Sequence, residues 1–116
     1  MDKGEAIKIA QRYISNLIGK YNIDKAYLYG SFAKGTNHSD SDIDLAIVIQ
    51  SVSDIIDIQI DLMQMRTDED LIIEPHPFKK EDFDMNNPVV AEILNYGIEI
   101  KKVTVKELID RGIKSL

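Results

Sequence analysis

The sequence contains no cysteine, which excludes disulfides, thiolate nucleophiles and every zinc site built on cysteine. It has no Pro-, Gly- or Ser-rich stretch, no low-complexity tract and no internal repeat. Nothing marks a linker, so a single domain over residues 1–116 is expected. No apolar run approaches the length that spans a bilayer, and the N-terminus carries no signal-peptide pattern; a cytoplasmic protein without a membrane partner is expected. Basic charge is in deficit as well. Lys and Arg number 14 against 20 Asp and Glu, a net charge of −6, the opposite of the basic patch that direct binding to duplex nucleic acid needs.

What is present is an ordinary globular composition, 44% hydrophobic and 29% charged, in a chain long enough to bury one core without staples. The charge is unevenly spread. Thirteen acids between Asp40 and Asp84 stand against Arg66, Lys79 and Lys80, whereas residues 101–116 carry five basic side chains against Glu107 and Asp110. Solvated surface accounts for most of these charges. An anionic nucleotide bound in the acidic stretch would still need a metal to invert the local field.

The order of elements reads as alternating helices and strands. Residues 2–18 keep the helical stripe Ala6, Ile7, Ala10, Tyr13, Ile14, Leu17 and Ile18, with Asp2 as N-cap, Glu5 three residues on and Gly19 as the stop. Ala26–Tyr29 and Leu45–Ile49 are short runs rich in aromatic or β-branched residues, read as strands, with a helical turn near Phe32-Ala33-Lys34. Two periodicities compete over residues 54–66. Ile56, Ile58, Ile60 and Leu62 alternate, while Ile55, Ile58, Leu62 and Met65 keep helical spacing; length and the run Leu62-Met63-Gln64-Met65 favour a helix capped by Ser53. Leu71–Glu74 predicts a third strand, ended by Pro75 and Pro77, which cannot donate to a ladder. Asn87 and Pro88 open a helix closed by Gly97, Ile98–Val103 predicts a short strand, and Thr104 with Glu107 predicts a capped last helix to Lys114. Such alternation indicates an α/β fold, a mixed sheet with helices packed on it.

Between the first two strands lies Gly30-Ser31-Phe32-Ala33-Lys34-Gly35, then a polar loop, then Asp42-Ile43-Asp44. Residues two apart on a strand share a face, so Asp42 and Asp44 present two carboxylates together. That is unfavourable without a cation between them. Hard divalent ions commonly use one or two carboxylates plus phosphate oxygens. Gly30 permits close backbone approach and Ser31 adds a hydroxyl and an amide. The constellation reads as a metal–nucleotide site. A calcium loop starting at Asp40 is excluded, because its sixth position is Leu45 rather than Gly and its twelfth is Ser51 rather than Glu.

Gly30-Ser31, ten intervening residues and Asp42-Ile43-Asp44 resemble the GS-x10-D-x-D signature of the nucleotidyltransferase superfamily. Gly-Ser-Phe-Ala-Lys-Gly and Ser-Asp-Ile-Asp-Leu more closely resemble the minimal nucleotidyltransferases (MNT proteins), small prokaryotic domains often paired with HEPN-domain toxins. The resemblance implies a polymerase-beta-like palm, a two-layer fold. It implies a third carboxylate on the next strand, for which Glu74 before Pro75-His76-Pro77 fits best and Asp70 is the fallback. It further implies two Mg2+ ions bound by Asp42, Asp44 and Glu74, with ATP as substrate held by Gly30 and Ser31. Lys34 is a candidate phosphate contact. The remaining polar residues have simpler readings: His38 and His76 as isolated loop histidines, Asp57 and Asp61 as a solvated helix face, Met63 and Met65 as core or interface.

The expected activity is transfer of AMP from ATP to a hydroxyl acceptor. Larger nucleotidyltransferases hold the acceptor with a further helical domain that this length leaves no room for, so another surface is expected to supply it. The resemblance to MNT antitoxins implies a HEPN-domain toxin whose tyrosine receives AMP. An aminoglycoside-like small molecule is a second acceptor for the same chemistry. A module that neutralises a toxin by contact alone stands as the non-catalytic alternative, and an orphan metal-binding α/β domain with unrelated chemistry as a third. Oligomeric state, homo- or hetero-, is left open.

Overall fold

The structure is a computed structural model that describes residues 1–50 and 53–101. The elements run α1 (Lys3–Leu17), β1 (Ile23–Tyr29), α2 (Ser31–Lys34), β2 (Ile43–Ile49), α3 (Ile55–Gln64), β3 (Ile73–Lys79), α4 (Pro88–Tyr96) and β4 (Ile98–Glu99), with 3-10 turns at Asp68–Asp70 and Lys80–Asp82. The four strands form one sheet in the order β3-β2-β1-β4. β1 pairs antiparallel with β2 and β4, and β2 pairs parallel with β3. The expected mixed sheet with helices packed on it is what forms. The last helix, Thr104 to Lys114, and the end of the last strand lie outside the described residues.

The local signals set most boundaries. The Asp2 carboxylate accepts from the Glu5 amide at 2.8 Å to start α1, and Asn87 accepts from Val89 at 2.9 Å ahead of Pro88 to start α4. Residues 55–64 are helical, and the cap is Asp54, whose carboxylate accepts from Ile56 and Asp57 at 2.9 and 3.3 Å. Asp54 outdoes Ser53 because a full negative charge on the first-turn amides also meets the positive end of the helix dipole. Leu62 of α3 is buried, Met65 packs against the core, and Ile56, Ile60 and Met63 stay exposed. Ile18, placed on the α1 stripe by spacing, is exposed because the helix ends at Leu17.

Sheet register divides the strand residues between two faces. Ala26, Leu28, Ile43, Leu45, Ile47, Ile49 and Ile73 point into a core with Ala6, Ala10, Tyr13, Ile14 and Leu17 of α1 and Leu62 of α3. The Tyr13 hydroxyl donates to the Leu62 carbonyl, tying the two helices over that face. Their alternates, Tyr27, Tyr29, Asp44, Ala46, Val48, Glu74, His76 and Phe78, occupy the second face. There Phe83 stacks on Tyr27 with centroids 5.7 Å apart and meets Phe78 edge-on at 5.4 Å.

One boundary overturns the expectation. β3 does not stop at Pro75 but runs through both prolines to Lys79. It is the edge strand. The Ile72 carbonyl accepts from Ile43 of β2 at 2.9 Å, so by the two-residue period Glu74, His76 and Phe78 direct their backbone toward β2 and Pro75 and Pro77 direct theirs outward. The proline nitrogens thus fall where no ladder bond is owed. The outward carbonyls are satisfied by side chains instead: Ile73 by Arg66 at 3.0 Å and Pro75 by Gln59 at 2.8 Å. The Gln59 bond joins α3 to the strand edge, and Arg66 does the same from just beyond the end of the helix.

Asp61 of α3 is not simply solvated. Its carboxylate accepts from Lys20 at 2.8 Å and from the Tyr21 hydroxyl, and these two, Lys20 first, hold its pKa below the ordinary aspartate range. A depressed folded-state pKa stabilises the fold above the unfolded-state value and loses that effect as pH falls through the folded one. Asp61→Asn is therefore expected to be less stable than wild type at neutral pH, with the two urea midpoints converging as the pH is taken down into the acid range.

Candidate active site

Register brings three side chains together on the second face. Asp44 of β2 pairs with Tyr29 of β1 on one side and with Glu74 of β3 on the other. His76, one pleat further along β3, stands opposite Ala46 and reaches back diagonally. Its Nε2 lies 3.4 Å from Asp44 Oδ1 and 3.9 Å from Glu74 Oε1. The Tyr29 ring meets the imidazole edge-on, with centroids 5.7 Å apart and planes at 62°. Asp44, Glu74 and His76 can each place a donor atom within 4.8 Å of the others.

The field here is negative. Burial first, then Asp44, Glu74 and Glu92, push the Tyr29 phenol well above its ordinary pKa, so at neutral pH it is a hydrogen-bond donor and not a base. Two carboxylates in directly opposed register repel, and among the described contacts no lysine or arginine is paired with either. Carboxylate oxygens in this arrangement fit a divalent cation.

The Gly30 turn closes on the same point. Gly30 has φ +74°, and a Cβ there would lie 2.4 Å from Asp44 Oδ2. Both the left-handed backbone and the carboxylate beside it require glycine. The turn is held by Lys34 N–H donating to Gly30 O at 3.1 Å and Thr36 N–H donating to Ser31 O at 2.9 Å. Phe32, fully buried, pins it to the core. Ser31 is half-buried and directly follows Gly30. Lys34 faces α4, its ammonium paired with Glu92 and 5.5 Å over the Tyr96 ring.

The other residues singled out by sequence are placed as follows. Asp42 is exposed in the segment just ahead of β2 and is not one of the three clustered donors. Asp70 is not on the strand. It is fully buried in a 3-10 turn, accepting from Thr67 N–H at 3.1 Å and Thr67 Oγ1 at 2.8 Å and from Arg12 at 3.2 Å. The spacing Thr67-x-x-Asp70 is a capping-box pattern that could have assigned it. Glu74→Ala is accordingly expected to weaken divalent-ion binding with little loss of stability. Asp70→Ala is expected to cost about 2 kcal/mol of stability and leave ion binding unchanged; urea denaturation and Mn2+ titration of both variants separate the two roles.

His38 folds into its own loop, where its carbonyl accepts from Ser41 N–H at 3.0 Å and its Nδ1 from Asp40 N–H at 3.2 Å. His76 corrects the sequence reading: it is on a strand and next to two carboxylates. The signal was Glu74-x-His76, a period-two pair hidden by treating Pro75 as the end of the strand. A surface hollow of about 420 Å³ lies between α1 and β1, lined by residues 18–23, and shares no residue with this site.

Residues 12–103 match the family described as Polymerase beta, Nucleotidyltransferase. The chain belongs to that family. As a polymerase beta nucleotidyltransferase it is an enzyme, and Gly30, Ser31, Asp42, Asp44 and Glu74 all fall within the matched region. A Methanocaldococcus jannaschii protein named as a candidate protein adenylyltransferase is 27% identical over 99 residues, covering 83% of this chain and 96% of the relative. The fold is that of solved nucleotidyltransferases. A Sulfolobus solfataricus candidate nucleotidyltransferase superposes with a TM-score of 0.64 at 16% identity, covering 86% of this chain and 83% of that one. A mutant of the MntA–HpeT toxin–antitoxin gives 0.54 at 17%, covering 94% and 80%. A toxin–antitoxin solved with AMP-PNP gives 0.52 at 18%, covering 85% and 78%. Among the described residues of this nucleotidyltransferase, no helix is long and apolar enough to cross a membrane.

Proposed function

We propose that this nucleotidyltransferase moves AMP from ATP onto a hydroxyl of a partner protein, a tyrosine of a HEPN-domain toxin, and so acts as an antitoxin. The observation that carries the reading is the direct register of Asp44 with Glu74 beside the Gly30 turn. A likeness to a protein named as a candidate protein adenylyltransferase and to toxin–antitoxin structures supports the choice of donor and partner.

In the proposed reaction the acceptor oxygen forms a bond to the α-phosphorus, the bond to pyrophosphate breaks, and the acceptor proton is lost. Gly30 and Ser31 take the triphosphate at the turn. Asp44 and Glu74, with Asp42 from the segment ahead of β2, hold the divalent ions, Mg2+ in the simplest case. Bound ions supply charge neutralisation for the phosphates and lower the pKa of an oxygen they coordinate. In this reading the carboxylates fix position, and Glu74, besides completing the metal site, helps take up the acceptor proton. Lys34 reaches a phosphate only by leaving Glu92. The acceptor segment approaches at the partly exposed end of the second face, beside Asp44, Glu74 and His76.

Incubation with α-labelled ATP, a divalent cation and a HEPN-domain toxin encoded beside this chain tests the reading. Label on the toxin, lost in Asp44→Ala, is the expected result. Neutralisation of the toxin that survives Asp42→Ala and Asp44→Ala, with no label transferred, overturns it in favour of binding alone.

A further inference from the structure

We propose that His76 is itself a metal ligand, so that Asp44, Glu74 and His76 form a mixed oxygen–nitrogen centre that takes Mn2+ in preference to Mg2+. The inference rests on the reading of Asp44 and Glu74 as the metal-binding carboxylates. Nε2 stands 3.4 Å from one carboxylate oxygen and 3.9 Å from the other. Both separations exceed a good N–H···O hydrogen bond, which runs about 2.7–3.2 Å. Both lie inside the roughly 4.4 Å limit for two donors sharing one ion at bond lengths of about 2.0–2.2 Å. The imidazole is therefore not held by the acids it faces. It is held by the β2–β3 pairing below it and by the edge of the Tyr29 ring.

A nitrogen donor changes which ion the site favours. Mg2+ takes oxygen ligands in near-ideal octahedra and gives up water reluctantly, whereas imidazole suits first-row transition ions. Mn2+ binds most weakly of that series, which makes it the strict probe. A site of oxygens alone, built from Asp42, Asp44 and Glu74, also accepts Mn2+, so the nitrogen donor itself, and not the ion preference alone, marks the difference; the inference adds a donor type and not merely another residue.

The test uses the full chain without nucleotide, with Mn2+ as the probe. Pulsed EPR of bound Mn2+ is expected to show 14N coupling from an imidazole, absent in His76→Gln. The Kd for Mn2+ is expected to be at least about tenfold below that for Mg2+, and His76→Gln to weaken Mn2+ binding about 10- to 100-fold while moving Mg2+ binding less than about twofold. Absence of 14N coupling in the wild-type spectrum overturns the proposal, as does coupling that persists in His76→Gln. The wild-type spectrum decides alone if the variant fails to fold. Nitrogen coupling in a protein that transfers no label sinks the antitoxin reading and leaves this one; label transfer without nitrogen coupling does the reverse.

Discussion

Asp44→Asn is expected to lower nucleotidyl transfer by about a thousandfold, the scale on which loss of one preorganised charge-stabilising group is felt. Asparagine keeps the size of the side chain and its place against Gly30, so the loss isolates the charge. Asp44 is the residue on which every neighbour converges: Glu74 is its register partner, His76 leans toward it, and Gly30 is bare to make room for it. The same substitution is expected to raise stability slightly. Directly opposed like charges on adjacent strands destabilise by about 0.5 kcal/mol, and removing one of the pair relieves Glu74. Urea denaturation in EDTA should show Asp44→Asn at or above the wild-type midpoint, in the same preparation whose activity has collapsed. A variant that is both inactive and unfolded would mean that Asp44 acts through the fold and not through the site.

Gly30→Ala is the second large effect. The added methyl would sit 2.4 Å from Asp44 Oδ2, at a backbone φ of +74°. The strained backbone alone costs about 1–2 kcal/mol, and the carboxylate must turn away to admit the Cβ. Stability and divalent-ion binding should therefore fall together, with transfer reduced about a hundredfold on the usual penalty for an ångström-scale misplacement. Gly35→Ala provides the comparison, since its φ of +75° is also positive, with ψ 18° in the αL region where Gly30 has ψ −147°, and no atom lies within 4 Å of the position a Cβ would take. It should show the backbone cost without the loss of ion binding. Equal activity losses in the two variants would refute the claim that Gly30 is there to clear Asp44.

How far the sequence carried depended on whether the deciding contact was local. Asp2 at the start of α1, and Asn87 with Pro88 at the start of α4, act within one helical turn of the backbone they satisfy, and they could be read directly. The β-branched run in Leu45–Ile49 announced a strand, and the two-residue pleat then put Asp44 on the face opposite Ile43 and Leu45; past Asp44 the strand is buried on both faces. The limits of β1 were harder to see, because Asp24 and Lys25 interrupt the apolar pattern although the strand begins at Ile23. Asp70 was attached to a strand it does not join, since its partner Arg12 lies 58 residues away in sequence and only the fold brings them within 3.2 Å.

The chain alone determined that a glycine–serine turn would follow the first strand and a spaced pair of aspartates would stand at the start of the second, because turn chemistry and the two-residue pleat are properties of a few consecutive residues. Only the tertiary structure decided that β3 lies at the sheet edge, where Pro75 and Pro77 turn their nitrogens outward and cost no ladder bond. That placement keeps the strand running past Glu74 and carries His76 to Asp44. A proline ends a strand or not according to which neighbour its nitrogen faces, and that neighbour is supplied by a distant part of the chain.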